Sequence, residues 1–495
     1  MSVDVSHDPR TGAVAATVPH STDLQVDEAV GRARAVAPVL AATPPAVRRA
    51  WLGAVADALV RHTDELARLA DWESGLGLPR LSGEVARTAD QLRFYGDVAV
   101  EGSHLGATLD PQHTLARINV PRGPVAVFGA SNFPFAFGTL GNDTASALAA
   151  GCPVVVKAHP AHAALAKRCT ELAIEAWDDA GGPAGAISSV HGLQAGVRLV
   201  QHPQVAAVGF TGSQHAGLAL WRLAQDRTTP IPVYAEMGTV NPVVVTPAAA
   251  DRLAEVSAGL VGSVTLGDGQ FCTKPGLLLA PTGHDAASHV ARSLERAAPR
   301  PVMLTRAIAE SVESGIAEMV AAGATVVARV PGPPTGWTAP AAVLSAPAET
   351  LVPGSRLLEE CFGPVVVVAE YADLDEALDL IGRLQGALGA SLFSRGVDDD
   401  AAPRVLAALT DRVGRVVHDG WTTGVATTWA QHHGGPWPAT SEPGSTSVGA
   451  AALARFVRPV TYQGLPDALL PEPLRASNPW GITRRIDGAV VLAGG

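Results

Sequence analysis

Residues 124–158 read PVAVFGASNFPFAFGTLGNDTASALAAGCPVVVKA. A short β-branched run at 124–130 gives way to a polar, glycine-bounded stretch. A helical segment follows at 144–151, and then a second β-branched run ends in Lys157. The alternation continues downstream. AALAKRCTELAIEAWDDAGG (163–182) has helical spacing and closes on glycines, and AISSV (186–190) reads as a strand. GVRLVQ (196–201) is a short helix, VAAVGFTG (205–212) a strand, SQHAGLALWRLAQ (213–225) a helix and IPVYAE (231–236) a strand. Strands and helices alternating at this spacing predict a parallel sheet with helices on both faces. Ligands of such sheets bind beyond the carboxyl ends of the strands.

Outward from this unit, residues 24–103 carry apolar residues at helix spacing, clearest in AVRRAWLGAVADALVRHTDELARLA (46–70). TLARINVPRG (114–123) alternates and ends in a turn, which predicts a strand arm. A second alternating region runs from NPVVVTP (241–247) to about 425, and ALARFVRPVTYQG in the tail reads as another arm. With 495 residues the chain has room for about three domains. We expect a cofactor domain from 1–102 and 124–236 and a catalytic domain over 237–450. A small assembly element then joins 103–123 to 451–495. The apolar faces of such arms need a neighbour to cover their edges, so a homodimer or homotetramer is expected.

Composition narrows the class. The apolar fraction is 47% against 17% charged residues, which belongs to a globular chain with a large core. A formal charge of −11 offers no basic field to nucleic acid or to acidic membranes. The N-terminal residues lack a basic segment followed by an apolar stretch, against a signal peptide, and no long apolar run predicts a membrane span. Four cysteines without paired short spacing make neither a disulfide framework nor a zinc knuckle, so a reducing cytoplasm is the simplest home.

Chemistry concentrates at strand ends. Asn132 follows the first strand, Lys157 ends the second, and Gly212 and Ser213 stand where a strand turns into a helix. A helix N-terminus there offers free N–H groups to phosphate, although Gly-Ser is also an ordinary turn and N-cap. Glu236 ends another strand, where it is either a pocket base or a solvated strand end. Cys272, in GQFCTKPG (269–276), sits in a tight turn whose N–H groups suit an oxyanion; an inert loop thiol is the plain alternative. EECFGP (359–364) is either a ligand loop or a charged turn before a strand. No carboxylate or cysteine completes a convincing ligand set with the histidine pairs 159/162 and 432/433, so no metal is expected.

SNFPF, the lysine-ending strand, FTGS, EMG, GQFCT and EECFGP together resemble, in order and over nearly the whole chain, the aldehyde dehydrogenase superfamily. Residues 129–162, GQFCTKPG, HGGPWPATSEPGSTSVG (433–449) and RFVRPVTYQ (455–463) look like its α-ketoglutaric semialdehyde (2,5-dioxovalerate) subgroup. The resemblance implies an α/β fold with a Rossmann-like cofactor domain, an α/β catalytic domain and a small β oligomerisation element. It implies Cys272 as nucleophile, Asn132 with the Cys272 N–H as oxyanion donors, and Glu236 as the base that activates water. On the cofactor it implies Lys157 at the adenosine ribose, Ser213 beside Gly212 at the pyrophosphate, Glu360 at the nicotinamide ribose and Phe362 against the nicotinamide. Cys152, Cys169 and Cys361 read as packing residues.

The chain departs from the pattern in two places. Many NAD-preferring members have a glutamate three residues after the strand-end lysine, and here that place is Pro160. Losing the acid removes a penalty on a 2′-phosphate, so NADP is expected to be accepted and preferred, with NAD possible and Arg198 as a partner for the phosphate. HDGWTTGV (418–425) differs from the subgroup at Asp419, Trp421 and Thr422. A carboxylated substrate needs a cation, and Arg87 and Arg93, in GEVARTADQLRFYG (83–96), are the choices; the plain alternative is a solvated helix face. Three other readings stay open. Medium-chain or aromatic aldehydes would suit Phe133, Phe135 and Trp421. Coenzyme A in place of water would leave Glu236 idle. A non-catalytic scaffold would not need to keep Cys272 and Glu236.

Overall fold

The computed structural model describes residues 2–492. Its organising feature is a five-stranded, all-parallel sheet. The strands lie in the order Ile187–Val190, Val154–Lys157, Val125–Phe128, Ala207–Gly212, Val233–Met237. Helices Asn142–Ala149, Ala163–Asp179, Leu193–Gln201 and Gln214–Gln225 connect them, as the alternation predicts. The strands are buried along nearly their whole length, which is why they read as unbroken β-branched runs. Chain direction across the sheet reverses between 125–128 and 207–212. At such a switch point the two crossovers leave on opposite sides and open a crevice.

Four helices precede this sheet: Asp23–Ala42, Pro45–Arg61, Thr63–Ser74 and Leu78–Glu101. The first is capped reciprocally by Thr22 and Gln25, and the second starts on a proline, where a missing N–H costs nothing. Leu52, Leu59, Leu81, Leu92 and Tyr95 from these helices are buried in the same core as Val125, Val154 and Trp177. A strand pair ahead of them, Val3–His7 with Val14–Pro19, is absent from the sequence expectations.

The second α/β unit is a seven-stranded sheet, in the order 325–330, 341–345, 365–371, 275–281, 241–245, 390–393, 416–418. Only its first pair is antiparallel. The third sheet joins distant parts of the chain: 457–463 pairs with 115–121, followed by 108–110, 484–486 and 489–491. Among the described residues no helix is long and apolar enough to cross a membrane.

Candidate active site

The cavity at the switch point has a volume of about 330 Å³, within the range of small-molecule sites. Asn132, Gly212, Ser213, Cys272, Glu360 and Phe362, all singled out in the sequence, line it together. Lys157 lies at the end of the strand beside it, and His159, two residues on, is in the lining.

Cys272 stands where the 266–269 turn runs into the central strand Pro275–Pro281 of the seven-stranded sheet. The loop is tied down on several sides. Asn241 Nδ2 donates to the Cys272 and Lys274 carbonyls at 2.9 and 3.0 Å, and Thr422 Oγ1 donates to the Thr273 carbonyl at 2.6 Å. Gly269 has φ +72°, and a Cβ there would lie 2.2 Å from the Pro364 nitrogen, so only glycine lets this loop meet the 360–364 loop. Burial pushes the Cys272 thiol well above its ordinary range, and the charges of Glu236 and Glu360 push it further. A neutral thiol results, which needs a base to become a nucleophile.

Asn132 is buried, and its Nδ2 donates to the Gln270 carbonyl at 2.8 Å, leaving the second amide hydrogen available. Its loop is fastened to the helix Leu78–Glu101. Glu84 Oε1 accepts from the Phe135 and Ala136 N–H groups, both at 2.9 Å, and Arg80 Nη2 donates to the Asn132 carbonyl at 2.6 Å. Burial raises the Glu84 carboxyl while those two N–H groups lower it. Glu84 and Arg80 were not singled out in the sequence, because only the tertiary fold shows which polar residues of that helix turn inward.

Glu236 is fully buried at the end of strand 233–237. Its Oε2 lies 3.0 Å from His433 Nε2 and accepts from Ser447 Oγ at 3.4 Å; its Oε1 is buried without a hydrogen-bond partner. His433 Nε2 is also 3.8 Å from Cys272 Sγ. The donor atoms of Glu236, Cys272 and His433 all lie within 4.8 Å of one another, so the fold supplies the cysteine and carboxylate that His433 lacks in sequence. His433 arrives there because residues 433–447 lie along the 233–237 strand. Met237 N–H donates to the Ala439 carbonyl at 2.8 Å, Ser441 N–H to the Ala235 carbonyl at 3.1 Å, and Ser447 N–H to the His433 carbonyl at 2.9 Å.

The residues present fit a dinucleotide. Ser213 caps the helix Gln214–Gln225, whose first turn faces the cavity. Thr211 Oγ1, also in the lining, is buried without a partner. Lys157 is largely buried, which lowers its pKa, and makes no hydrogen bond or ion pair among the described residues. At the other end a Cβ on Gly238 would lie 2.2 Å from the Glu360 carboxylate. Burial raises Glu360 to about 7, with the Lys274 ammonium pulling against it.

The structure revises four expectations, three on the substrate side and one at the cofactor phosphate. Arg93 is not in the site: it pairs with Asp57 at 2.7 Å and Asp90 at 3.3 Å on an exposed helix face. Phe135 is in the hydrophobic core beside Leu81 and Tyr95, because the chain turns its neighbours Phe133 and Phe137 outward instead. Trp421 packs on Phe393 with ring centroids 4.9 Å apart and against Gly259, filling the back of the seven-stranded sheet. Arg198 does not face the cofactor cavity: its Nε donates to Asp27 at 2.8 Å and its Nη1 to Asp23 at 3.3 Å, and Asp27 is held below the usual carboxylate range by that pairing. Asp419 pairs with Arg252 at 3.0 Å and so also serves the scaffold.

Arg87 stays near the site. Its guanidinium lies 5.6 and 5.7 Å from the Phe133 and Phe137 ring centres, and its Nη2 donates to the Val425 carbonyl at 2.8 Å. Phe137 in turn meets the His433 ring at 6.2 Å. Arg415 grips the same loop, donating to the Gly424 carbonyl at 3.0 Å and to the Thr422 carbonyl. Neither arginine has a carboxylate partner among the described residues, and burial lowers the pKa of both. Cys152, Cys169 and Cys361 are buried, and none of the four cysteines forms a disulfide.

Comparison with known proteins agrees with this geometry. Residues 3–440 match the model of the aldehyde dehydrogenase family. Alpha-ketoglutaric semialdehyde dehydrogenase 2 of Azospirillum brasilense is 43% identical over 486 residues, covering 94% of this chain and 92% of that protein. The alpha-ketoglutaric semialdehyde dehydrogenase of Acinetobacter baylyi is 38% identical over 458 residues, covering 90% and 87%. Among solved structures, 1-pyrroline-5-carboxylate dehydrogenase from Thermus with bound NAD superposes with a TM-score of 0.81 at 21% identity, over 93% of this chain and 90% of that one, and so shares the fold. A switch-point cavity that gathers a cysteine, an amide and a glutamate, together with this match over most of its length, places the chain in the aldehyde dehydrogenase family.

Proposed function

We propose that the protein oxidises 2,5-dioxovalerate (α-ketoglutaric semialdehyde) to 2-oxoglutarate, with NADP accepted in preference to NAD. The observation that carries the reading is the convergence of Cys272, Asn132, Gly212, Ser213, Glu360 and Phe362 on one cavity with Glu236 behind the cysteine. The names of the two relatives point to the substrate.

The thiol of Cys272 gives its proton to Glu236, and the sulfur attacks the aldehyde carbon. The second hydrogen of the Asn132 amide and the Cys272 N–H stabilise the resulting oxyanion. A nicotinamide dinucleotide bound in the cavity supplies the acceptor for the hydride that leaves this carbon. A thioester on Cys272 remains. After losing its first proton to solvent, Glu236 takes one from water as the hydroxyl adds to the thioester carbon. The carboxylic acid departs, and the thiolate takes the proton back from Glu236, which restores the resting thiol. Arg87, a half-buried cation against two phenylalanines, would receive the substrate's carboxylate.

The cofactor preference rests on two features. Pro160 stands where an acid would repel a 2′-phosphate, and among the described residues Glu360 is the one acid in the cavity lining. Arg198 is excluded from this argument by its pairing with Asp27. The phenylalanines 133, 137 and 271 favour a second reading, a neutral medium-chain or aromatic aldehyde. A cofactor-reduction assay with 2,5-dioxovalerate, hexanal and benzaldehyde, each with NAD and NADP, separates them. The highest kcat/KM is expected with 2,5-dioxovalerate and NADP. A hexanal or benzaldehyde maximum discards the carboxylate substrate, and a strong NAD preference discards the cofactor assignment. The strand 457–463 lies at a sheet edge, paired on one side only, which supports assembly of two or four copies. Light scattering in solution decides this, and a monomer contradicts it.

A further inference from the structure

Both oxygens of the Glu236 carboxylate are buried, but their surroundings differ. Oε2 has His433 Nε2 at 3.0 Å and Ser447 Oγ at 3.4 Å, whereas Oε1 has no partner. An ionised carboxylate only accepts hydrogen bonds, so Nε2 is the protonated nitrogen of His433 and donates to Oε2. Leaving a buried carboxylate oxygen unpaired costs free energy unless something brings a proton to it. Cys272 and a hydrolytic water are the two donors the reaction brings to this point. His433 is itself buried and held by its own backbone: its N–H donates to Thr446 Oγ1 at 2.8 Å, and its carbonyl accepts from Ser447 N–H at 2.9 Å. The backbone that carries the imidazole is therefore fixed, and the Phe137 ring lies beside the imidazole at 6.2 Å.

We infer that His433 is a positioning residue that divides the Glu236 carboxylate into an anchored oxygen, Oε2, and a working oxygen, Oε1, which takes the proton first from Cys272 and then from water. The charged and titratable groups facing Glu236 are Cys272, His433 and, across the cavity, Glu360. None of the relatives' names bears on His433, and the inference rests on Glu236 being the base of the proposed reaction.

The test compares His433→Phe, His433→Gln and Glu236→Gln, with 2,5-dioxovalerate as substrate. Phenylalanine keeps the bulk and removes the donor; glutamine keeps a donor. His433→Phe is expected to lower kcat up to about 100-fold, the low end of what a general base contributes, with KM changed little. His433→Gln, which keeps a donor within reach of Oε2, is expected to restore most of kcat, which a merely structural role would not do. Unchanged kcat in His433→Phe overturns the inference, and so does a loss that glutamine fails to rescue. If His433→Phe does not fold, His433→Asn, whose amide is too short to reach Oε2, is expected to show the same loss in kcat with KM changed little; wild-type behaviour of that variant overturns the inference. Full activity of Glu236→Gln would instead remove the reading of Glu236 as base, so the two failures are distinguishable.

Discussion

The cofactor side and the substrate side of Cys272 are built in different ways. On the cofactor side, Asn132, Lys157, Gly212, Ser213 and Glu236 occupy the ends of neighbouring strands in one parallel sheet or the turns that leave them. Their convergence follows from strand order and needs little beyond local pattern. On the substrate side, Arg87 comes from a helix of the N-terminal bundle, Phe133 and Phe137 from a loop held by Glu84, and His433 from a segment that lies against a strand some 200 residues earlier in the chain. Those placements depend on contacts between distant parts of the sequence. Side chains on a sheet's strand ends are thus readable from a single sequence, while side chains on loops are decided by what the loop docks onto.

The comparison is sharpened first where sequence and structure assign one residue differently. Phe135 belongs to the core, so Phe135→Ala should cost about 3–5 kcal/mol of stability, read as a loss in urea or thermal midpoint. The ratio of kcat/KM for 2,5-dioxovalerate and hexanal should stay as it is in the wild type. A changed ratio at full stability would return Phe135 to the pocket. Next in size is the strand-end group: Asn132→Ala should lower kcat about 10²–10³-fold, the usual consequence of losing one oxyanion donor. A loss seen only in KM would assign Asn132 to ground-state binding.

How far the sequence could be read follows the same division. The helical run before residue 103 and the arm that pairs with 457–463 are visible as periodicity, because each buries one apolar face, and the five strands of the first sheet are visible as short apolar runs, because both their faces are buried. The first strand pair is invisible: VDVSH and VAATVP are short and mostly half-buried or exposed, with no sustained buried apolar face to mark them. Cys272, Glu236 and Asn132 are legible through motif order. His433 is not, since its partners are Glu236 and Cys272, and no local pattern links residue 433 to either. Trp421 reads as a pocket residue in sequence because nothing local shows what its ring packs on; in the structure it lies on Phe393 while Asp419 pairs with Arg252, and both seat the 418–425 loop on the sheet.

Arginines give a smaller but cleaner contrast. Arg87→Ala should raise KM for 2,5-dioxovalerate about 10–100-fold, the equivalent of one lost hydrogen bond to a charged group, and leave hexanal nearly unaffected. Arg93→Ala, which breaks only exposed ion pairs, should change neither. Equal effects of the two substitutions would erase the distinction between the helix faces. The smallest effect concerns Cys272 itself. Because burial and two nearby carboxylates raise its pKa, its alkylation by iodoacetamide in the absence of cofactor should keep accelerating with pH beyond the ordinary thiol range. Glu360→Gln removes one of the opposing charges and should move that curve to lower pH. A curve that levels off near neutrality would show that a thiolate already exists in the free protein.

The most direct measurement is acid-quenched peptide mass spectrometry of Glu236→Gln mixed with NADP and 2,5-dioxovalerate. Removing the Glu236 charge eases ionisation of Cys272, so solvent can take the thiol proton and a slowed acylation still proceeds, whereas hydrolysis has lost its base and the thioester accumulates. The account predicts the mass of a 2-oxoglutaryl group, joined through its former aldehyde carbon, on the peptide containing Cys272, together with reduced cofactor in matching amount. Cofactor reduction without acylation of that peptide, or acylation of Cys152, Cys169 or Cys361 instead, would contradict it.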